Sequence, residues 1–234
     1  TEVGGKKYGL IANGSLGLLQ IIDISTPSNP QLVGSISTGS ALDVMAIGST
    51  AYVSANAQGL AIIDISNPNT PRILSNKGVT ARAVGVAGNS ALLAQDSLGI
   101  EVINISNPIA PTTITTLKNQ SASTHLAISA DSKTAVVAGT SRGTDIVDIS
   151  NSEYPKILSS IPDTSVDAAI SGNIAYIVAG GDVKVVDISQ PANPVLVTTL
   201  VTPNIASGIA ISGSTAVVSD TLSGNVRIVS LSNP

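Results

Sequence analysis

Five polar residues recur at a spacing of 39 to 43 residues and are the best candidates for chemistry in this chain: Asp43, Arg82, His125, Asp167 and Ser207. Each lies at the beginning of a short run of aliphatic residues, within one residue of a common register. Carboxylates, a guanidinium, an imidazole and a hydroxyl gathered at one opening could bind a small polar ligand. The alternative is that the beginnings of these strands simply contact water, and this second interpretation is favoured.

Metal and nucleophilic chemistry have few residues to draw on. His125 is the only histidine and the chain has no cysteine, so zinc or copper would have one nitrogen ligand and no thiolate. Calcium is less easily excluded, because Asp131, Asp145 and Asp182 lie in polar stretches. None of them has the acidic spacing of an EF-hand loop, so hydrated carboxylates are favoured and no cofactor is predicted. A serine hydrolase would need a serine, His125 and an aspartate to converge, and it is the least favoured function.

A short side-chain oxygen is repeated after six aliphatic runs. Stretches such as GLAIIDISNPNTP recur at steps of 41, 40, 44, 39 and 43 residues, and their equivalent residues are Asp23, Asp64, Asn104, Asp148, Asp187 and Ser230. Aspartate, asparagine and serine share the ability to accept a backbone hydrogen bond, but not a charge. A structural residue that braces a turn is therefore favoured over a ligand or a catalyst.

The residue three positions before each of these oxygens varies most within an otherwise apolar run. It is Gln20, Ala61, Glu101, Asp145, Lys184 and Arg227 in turn. Repeats that share a backbone differ most where the fold does not dictate the residue, so this position is predicted to face solvent. It is either a rim that binds a partner or a site of tolerated variation, and tolerated variation is favoured.

Four short strands account for each repeat. In residues 41–79 they are ALDVMAIG, TAYVSA, LAIIDIS and PRILSN, here called strands A to D. Strand C is aliphatic on both faces, which predicts burial between neighbouring sheets. Ten of the twelve prolines follow a strand C, where a fixed φ stiffens the connection to strand D. A period near forty with four strands per repeat is typical of a β-propeller blade.

The cores LAIIDIS and VKVVDIS, each followed within a few residues by Asn-Pro, resemble the LVIVD repeat. The resemblance extends over nearly the whole chain. It implies a β-propeller and a secreted or cell-surface protein, and the family offers no catalytic motif to transfer residue by residue.

The repeats predict one all-β domain over residues 1–234, with six antiparallel blades at about 1–38, 39–79, 80–119, 120–163, 164–202 and 203–234. The first begins with a shortened strand A and the last stops before strand D. The last blade is therefore incomplete or is closed by the N-terminal segment. The alternative is that residues 1–234 belong to a longer chain with more blades or another domain.

Composition narrows the class of function. Hydrophobic residues make up 43% of the chain, charged residues 11%, and the net charge is −4. Four tyrosines are the only aromatic residues, and no basic stretch stands out, so nucleic-acid binding is not expected. Apolar runs fall short of a membrane span. Together with the resemblance to the LVIVD repeat, which implies the location, these features predict a non-enzymatic extracellular or cell-surface module that binds other proteins or copies of itself. A propeller that binds a small ligand or calcium is the alternative.

Overall fold

The computed structural model describes residues 1–118, 122–222 and 224–231, and within them every regular element is a β-strand. The strands are β1 (Glu2–Val3), β2 (Lys6–Asn13), β3 (Leu18–Asp23), β4 (Gln31–Ser37), β5 (Asp43–Ile47), β6 (Thr50–Ser54), β7 (Leu60–Asp64), β8 (Arg72–Lys77), β9 (Ala83–Ala87), β10 (Ser90–Ala94), β11 (Ile100–Asn104), β12 (Thr112–Leu117), β13 (Ser123–Ile128), β14 (Thr134–Gly139), β15 (Thr144–Asp148), β16 (Lys156–Ile161), β17 (Ser165–Ser171), β18 (Ile174–Ala179), β19 (Asp182–Asp187), β20 (Val195–Leu200), β21 (Ala206–Ser212), β22 (Thr215–Asp220) and β23 (Val226–Ser230). Among these residues, no helix has the length and apolar character to span a membrane.

Consecutive strands form six sheets, which are the six blades of a β-propeller. Blades 1 to 5 are β1–β4, β5–β8, β9–β12, β13–β16 and β17–β20, and blade 6 has the three described strands β21–β23. The all-β propeller prediction is confirmed. In blade 1, Glu2 and Val3 pair with Lys7 and Lys6, so the N-terminal segment serves as strand A of its own blade.

The chain forms two compact units, and the division falls within blade 3. The first unit contains Thr1–Gln95 and Ile103–Thr113, and the second contains Asp96–Val102 and Ile114–Pro234. The prediction of a single domain over 1–234 stays a prediction.

In the first unit, strand C of blade 2 is buried on both faces, as its sequence predicts. Leu60 and Ile62 pack in one cluster with Tyr52 and Leu93, on the side of blade 3. Ile63 and Ile65 pack in a second cluster with residues of blade 1. One strand therefore supplies apolar side chains to two interfaces between blades.

In the second unit, the same arrangement recurs around blade 5. Ile177, Val186 and Ile188 pack with Ile146 of blade 4. Tyr176, Val178, Val183 and Val185 pack with Val218 and Leu231 of blade 6. Blades 2 and 5 thus each present one apolar face to the blade before and one to the blade after.

The connection between strands C and D closes through the same turn in five blades. In blade 2 the N–H of Thr70 donates to the carbonyl of Asn67 at 3.0 Å, with Pro68 between them. Proline suits this position because its fixed φ matches the turn. Strand D then pairs antiparallel to strand C, with a register shift in blade 2 between Ile62 and Ile63.

Candidate functional site

Asp167 is the centre of the polar cluster in the second unit. Its Oδ2 accepts a hydrogen bond from the N–H of Ile209 in β21 at 2.7 Å. Its Oδ1 accepts from the N–H of Ala168 at 2.7 Å and lies 3.0 Å from Nε2 of His125 in β13. The carboxylate therefore joins strand A of blade 5 to the A strands of blades 4 and 6.

Asp43 makes the equivalent contact with the next blade in the first unit. Its Oδ1 accepts from the N–H of Val44 at 2.8 Å, and its Oδ2 accepts from the N–H of Val84 in β9 at 3.0 Å. In both units a strand-A carboxylate holds a backbone N–H of the next blade, about one repeat further along the chain. The sequence register located these two aspartates, but it did not show their acceptor role.

The other two predicted members make different contacts. The backbone N–H of Arg82 donates to the carbonyl of Ala94 at 2.8 Å, and its carbonyl accepts from Oγ of Ser54 at 2.8 Å. Oγ of Ser207 lies 3.1 Å from Oγ of Ser219. Within the second unit, the structure brings together His125 and Asp167 from the predicted set.

The pair of His125 and Asp167 resembles two thirds of a hydrolytic triad, which also needs a nucleophile activated by the imidazole. One stretch, Gly139 to Gly143 (GTSRG), has the spacing of a nucleophile elbow. A nucleophile elbow lies between a strand and a helix. Here Ser141 lies between the antiparallel strands β14 and β15, and its Oγ accepts from the N–H of Ala122 at 2.8 Å. The spacing therefore occurs without the backbone context of an elbow.

Of the three carboxylates considered for calcium, Asp131 lies in a loop, whereas Asp145 and Asp182 lie in strands β15 and β19. Asp131 and Asp182 both accept hydrogen bonds from the protein. Oδ1 of Asp131 accepts from Oγ of Ser129 at 2.7 Å, and this hydrogen bond, with that from the N–H of Lys133, lowers the pKa of Asp131. Oδ1 of Asp182 accepts from the N–H of Thr202 at 2.8 Å. Across residues 1–118, 122–222 and 224–231, no group of three or more histidine, aspartate or glutamate side chains is placed to hold a metal ion.

The repeated turn residues accept hydrogen bonds from the residue two positions on. Oδ1 accepts a backbone N–H at 2.7 to 2.9 Å in five blades, at Asp23, Asp64, Asn104, Asp148 and Asp187. Hydrogen bonds from Ser25, with a further one from Lys6, lower the pKa of Asp23 to about 2. Asn104 makes the same contact without a charge. Ser230 ends β23, and the residue two positions after it lies outside the described part of the chain.

The variable position of strand C was predicted to face solvent, and this is wrong for blades 2 to 4. Arg227 in blade 6 is exposed as predicted, and Gln20 and Lys184 are half-buried. Ala61, Glu101 and Asp145 are buried. Oδ1 of Asp145 accepts from Oγ of Ser160 at 2.5 Å, and Nζ of Lys184 pairs with Asp163. In blade 2, Ala61 packs with residues of the preceding blade. Variation here reflects local pairing as well as tolerance.

A groove in the second unit has no signal in the amino-acid sequence. It has a volume of about 420 Å³ and lies between strand D of blade 4 and the connection from strand C to strand D of blade 5. Its lining includes Asp163, Lys184, Asn193 and Leu196. The groove combines an ion pair with apolar walls, but the residues come from three separate stretches of sequence, which explains why spacing alone did not reveal it.

The architecture and contacts define a β-propeller whose strand-A carboxylates support its blades. The LVIVD repeat matches residues 6–38, 38–76, 78–118, 128–164 and 162–202, most of the chain. The chain therefore belongs to the LVIVD repeat family, as its sequence resemblance predicts.

Solved structures share this fold at low sequence identity. A functionally unknown protein from Desulfotomaculum acetoxidans is 17% identical, with a TM-score of 0.77 over 95% of this chain and 78% of that one. A candidate 6-phosphogluconolactonase from Bacteroides uniformis is 11% identical, with a TM-score of 0.82 over 95% and 77%. The β-propeller domain of Cps50 (Swd1) from Myceliophteria thermophila is 12% identical, with a TM-score of 0.76 over 94% and 79%. No curated protein matches the chain. These similarities show the fold alone.

Proposed function

We propose that this propeller is a non-enzymatic interaction or structural module at the cell exterior, and that it binds other proteins or copies of itself. One observation carries the proposal. The strand-A carboxylates, which were the residues best suited to chemistry, hold backbone N–H groups of the next blade at 3.0 Å for Asp43 and 2.7 Å for Asp167. A carboxylate used in this way has a structural role in the scaffold, as a non-enzymatic module requires.

The surface and the family support the same proposal. Charged residues make up only 11% of the chain, and exposed aliphatic side chains include Ile109, Val201 and Leu222. A surface with few charges and some exposed aliphatic side chains suits contacts with other proteins. The LVIVD repeats resemble those of secreted and cell-surface proteins, and this resemblance supports the extracellular location.

Binding of a small ligand is the second candidate, and the groove beside Lys184 favours it. An ammonium and a carboxylate, paired at the edge of apolar walls, could orient a small molecule that carries both charges. This candidate places the ligand in the groove instead of among the strand-A residues, where the sequence had placed it.

Native mass spectrometry of the protein, purified without chelator, tests the proposal. We expect masses at integer multiples of 23.3 kDa with nothing added. A monomer with a discrete added mass would contradict the proposal. Loss of that mass in Lys184→Ala would assign it to the groove, and its loss on adding a chelator would assign it to a cation.

A further inference from the structure

The groove between blades 4 and 5 is open, whereas the equivalent space between blades 1 and 2 is filled by an aliphatic side chain. In blade 5, Leu196 of β20 pairs with Val186 of strand C. In blade 2, Ile73 of β8 pairs with Ile63 in the same way, so Leu196 and Ile73 hold the same position of the repeat. Ile73 is half-buried and packs against the cluster between blades 1 and 2. Leu196 lines the groove and is 55% exposed.

A lysine in place of an alanine explains why the groove stays open. Ala61 in blade 2 is buried and packs with residues of blade 1. Its equivalent in blade 5 is Lys184, which pairs with Asp163 just after the last strand of blade 4. A lysine side chain needs more room than an alanine and keeps its ammonium group near water. The two blades therefore do not close over Lys184, and the groove of about 420 Å³ remains beside it.

Both charged groups have hydrogen-bonding capacity left for a ligand. An ammonium has three N–H donors, and a carboxylate has two acceptor oxygens. Within the part of the chain that the structure describes, the side chains of Lys184 and Asp163 hydrogen-bond only to each other. Lys184 is 22% exposed and Asp163 is 48% exposed, so a molecule in the groove can reach both charges.

The walls beside the ion pair are aliphatic. Ile161, Val186 and Leu196 line the groove together with Pro162 and Pro194. Its volume lies within the range of about 300–1,000 Å³ that is typical of small-molecule sites, which combine apolar walls with a few polar groups that fix the orientation. The groove therefore suits a small ligand that carries a short alkyl group next to its charges.

We propose that this groove binds a free α-amino acid with an aliphatic side chain. The ligand carboxylate accepts hydrogen bonds from the ammonium of Lys184, and the ligand ammonium donates to the carboxylate of Asp163. The ligand side chain covers Leu196 and removes apolar area from water. One carbon atom separates the two charges of an α-amino acid, which matches a lysine and an aspartate that contact each other. The inference rests on the second candidate function given above and names its ligand class.

Isothermal titration calorimetry of the whole chain with L-leucine tests the proposal. We expect a dissociation constant of about 1 mM or below. Lys184→Met removes the charge and keeps most of the side-chain length, so it should weaken leucine binding by about 10-fold or more. Lys156→Met is the matched control, because Lys156 is exposed on β16 and does not line the groove. It should leave the affinity for leucine unchanged.

A second variant and three further ligands separate the parts of the proposed contact. Leu196→Ser should weaken leucine binding by about 5-fold or more, and it should not affect folding, since the side chain is 55% exposed. Glycine lacks the alkyl group, N-acetyl-leucine lacks the ammonium and leucinamide lacks the carboxylate. Each should bind about 10-fold more weakly than leucine, because each leaves one part of the groove without its partner.

The outcomes distinguish this inference from the assembly proposed above. Absence of leucine binding, or equal binding to Lys184→Met, would overturn the inference. N-acetyl-leucine that binds as tightly as leucine would overturn the recognition of two charges. Sedimentation velocity of the same samples measures self-association independently. Oligomers that bind no leucine would contradict this inference alone, whereas a monomer that binds leucine through Lys184 would support it and contradict assembly from identical copies.

Discussion

Replacing Asp167 by alanine should lower the free energy of unfolding by about 2–4 kcal/mol. The main loss is the hydrogen bond from the N–H of Ile209 to Oδ2, 2.7 Å long and accepted by a charged group. Such a bond contributes about 1.5–3 kcal/mol, and its donor would be left without that acceptor. The contact with His125 adds at most about 1 kcal/mol, because the imidazole is 32% exposed and water screens the pair.

Two variants make the comparison specific. Asp167→Asn keeps a side-chain oxygen that can accept the N–H of Ile209, so it should cost only about 1 kcal/mol. Glu153→Ala removes the same charge from an exposed turn residue and should change stability by less than about 0.5 kcal/mol. Urea unfolding followed by circular dichroism measures all three. If Asp167→Ala costs no more than Glu153→Ala, the carboxylate does not support the fold and the reasoning is refuted.

Three further predictions concern the turns and the packing of strand D. Asp64→Asn should preserve stability at pH 7, as Asn104 makes the same turn with an amide, whereas Asp64→Ala should cost about 1 kcal/mol in urea unfolding; equal losses would contradict the turn role. Hydrogen bonds from Ser25 and its equivalents lower the pKa values of Asp23, Asp64, Asp148 and Asp187, so the native state binds protons less readily than the unfolded chain, whose aspartates titrate near pH ~3.9. Stability from these turns should be complete above that pH and fall as the pH drops towards 2; the fourfold Asp→Asn variant should lose less stability between pH 5 and pH 2.5, and an unchanged slope would argue against the linkage. Gly34→Ala should lower the free energy of unfolding by about 1–3 kcal/mol, because a Cβ there would overlap the Pro68 carbonyl oxygen. Gly78→Ala, with open space around it, should be nearly neutral, and thermal melts of the two variants measure the difference.

The fold could be predicted from the sequence because every repeat carries the same local information. Strand C must be aliphatic on both faces, as at Leu60 to Ile65, and this pattern is visible without any knowledge of the neighbouring blade. The proline turn after it and the short oxygen before it are likewise properties of a few consecutive residues. Six copies of the pattern left little freedom in the choice of architecture.

The candidate site could be predicted only in part, because its contacts join residues that are about one repeat apart. Asp43 and Asp167 share a register, but their partners are backbone N–H groups of Val84 and Ile209, which no side-chain motif marks. Variation at the position of Glu101 and Asp145 predicted exposure, whereas both side chains are buried. At Asp145 and Lys184 the residue type instead matches a polar partner, Ser160 and Asp163 respectively.

Ligand binding at strand A would compete with the fold in both units. Each carboxylate oxygen can accept two hydrogen bonds, so a ligand at Oδ2 of Asp167 would share that oxygen with the N–H of Ile209, and one at Oδ2 of Asp43 would share it with the N–H of Val84. A ligand that displaced either N–H would have to supply about 1.5–3 kcal/mol before any net affinity appeared. Exposed aliphatic side chains carry no such cost, since covering Ile228 or Ile11 breaks no hydrogen bond that the side chain makes and removes apolar area from water. Covering these side chains therefore costs less than displacing the backbone donors of strand A.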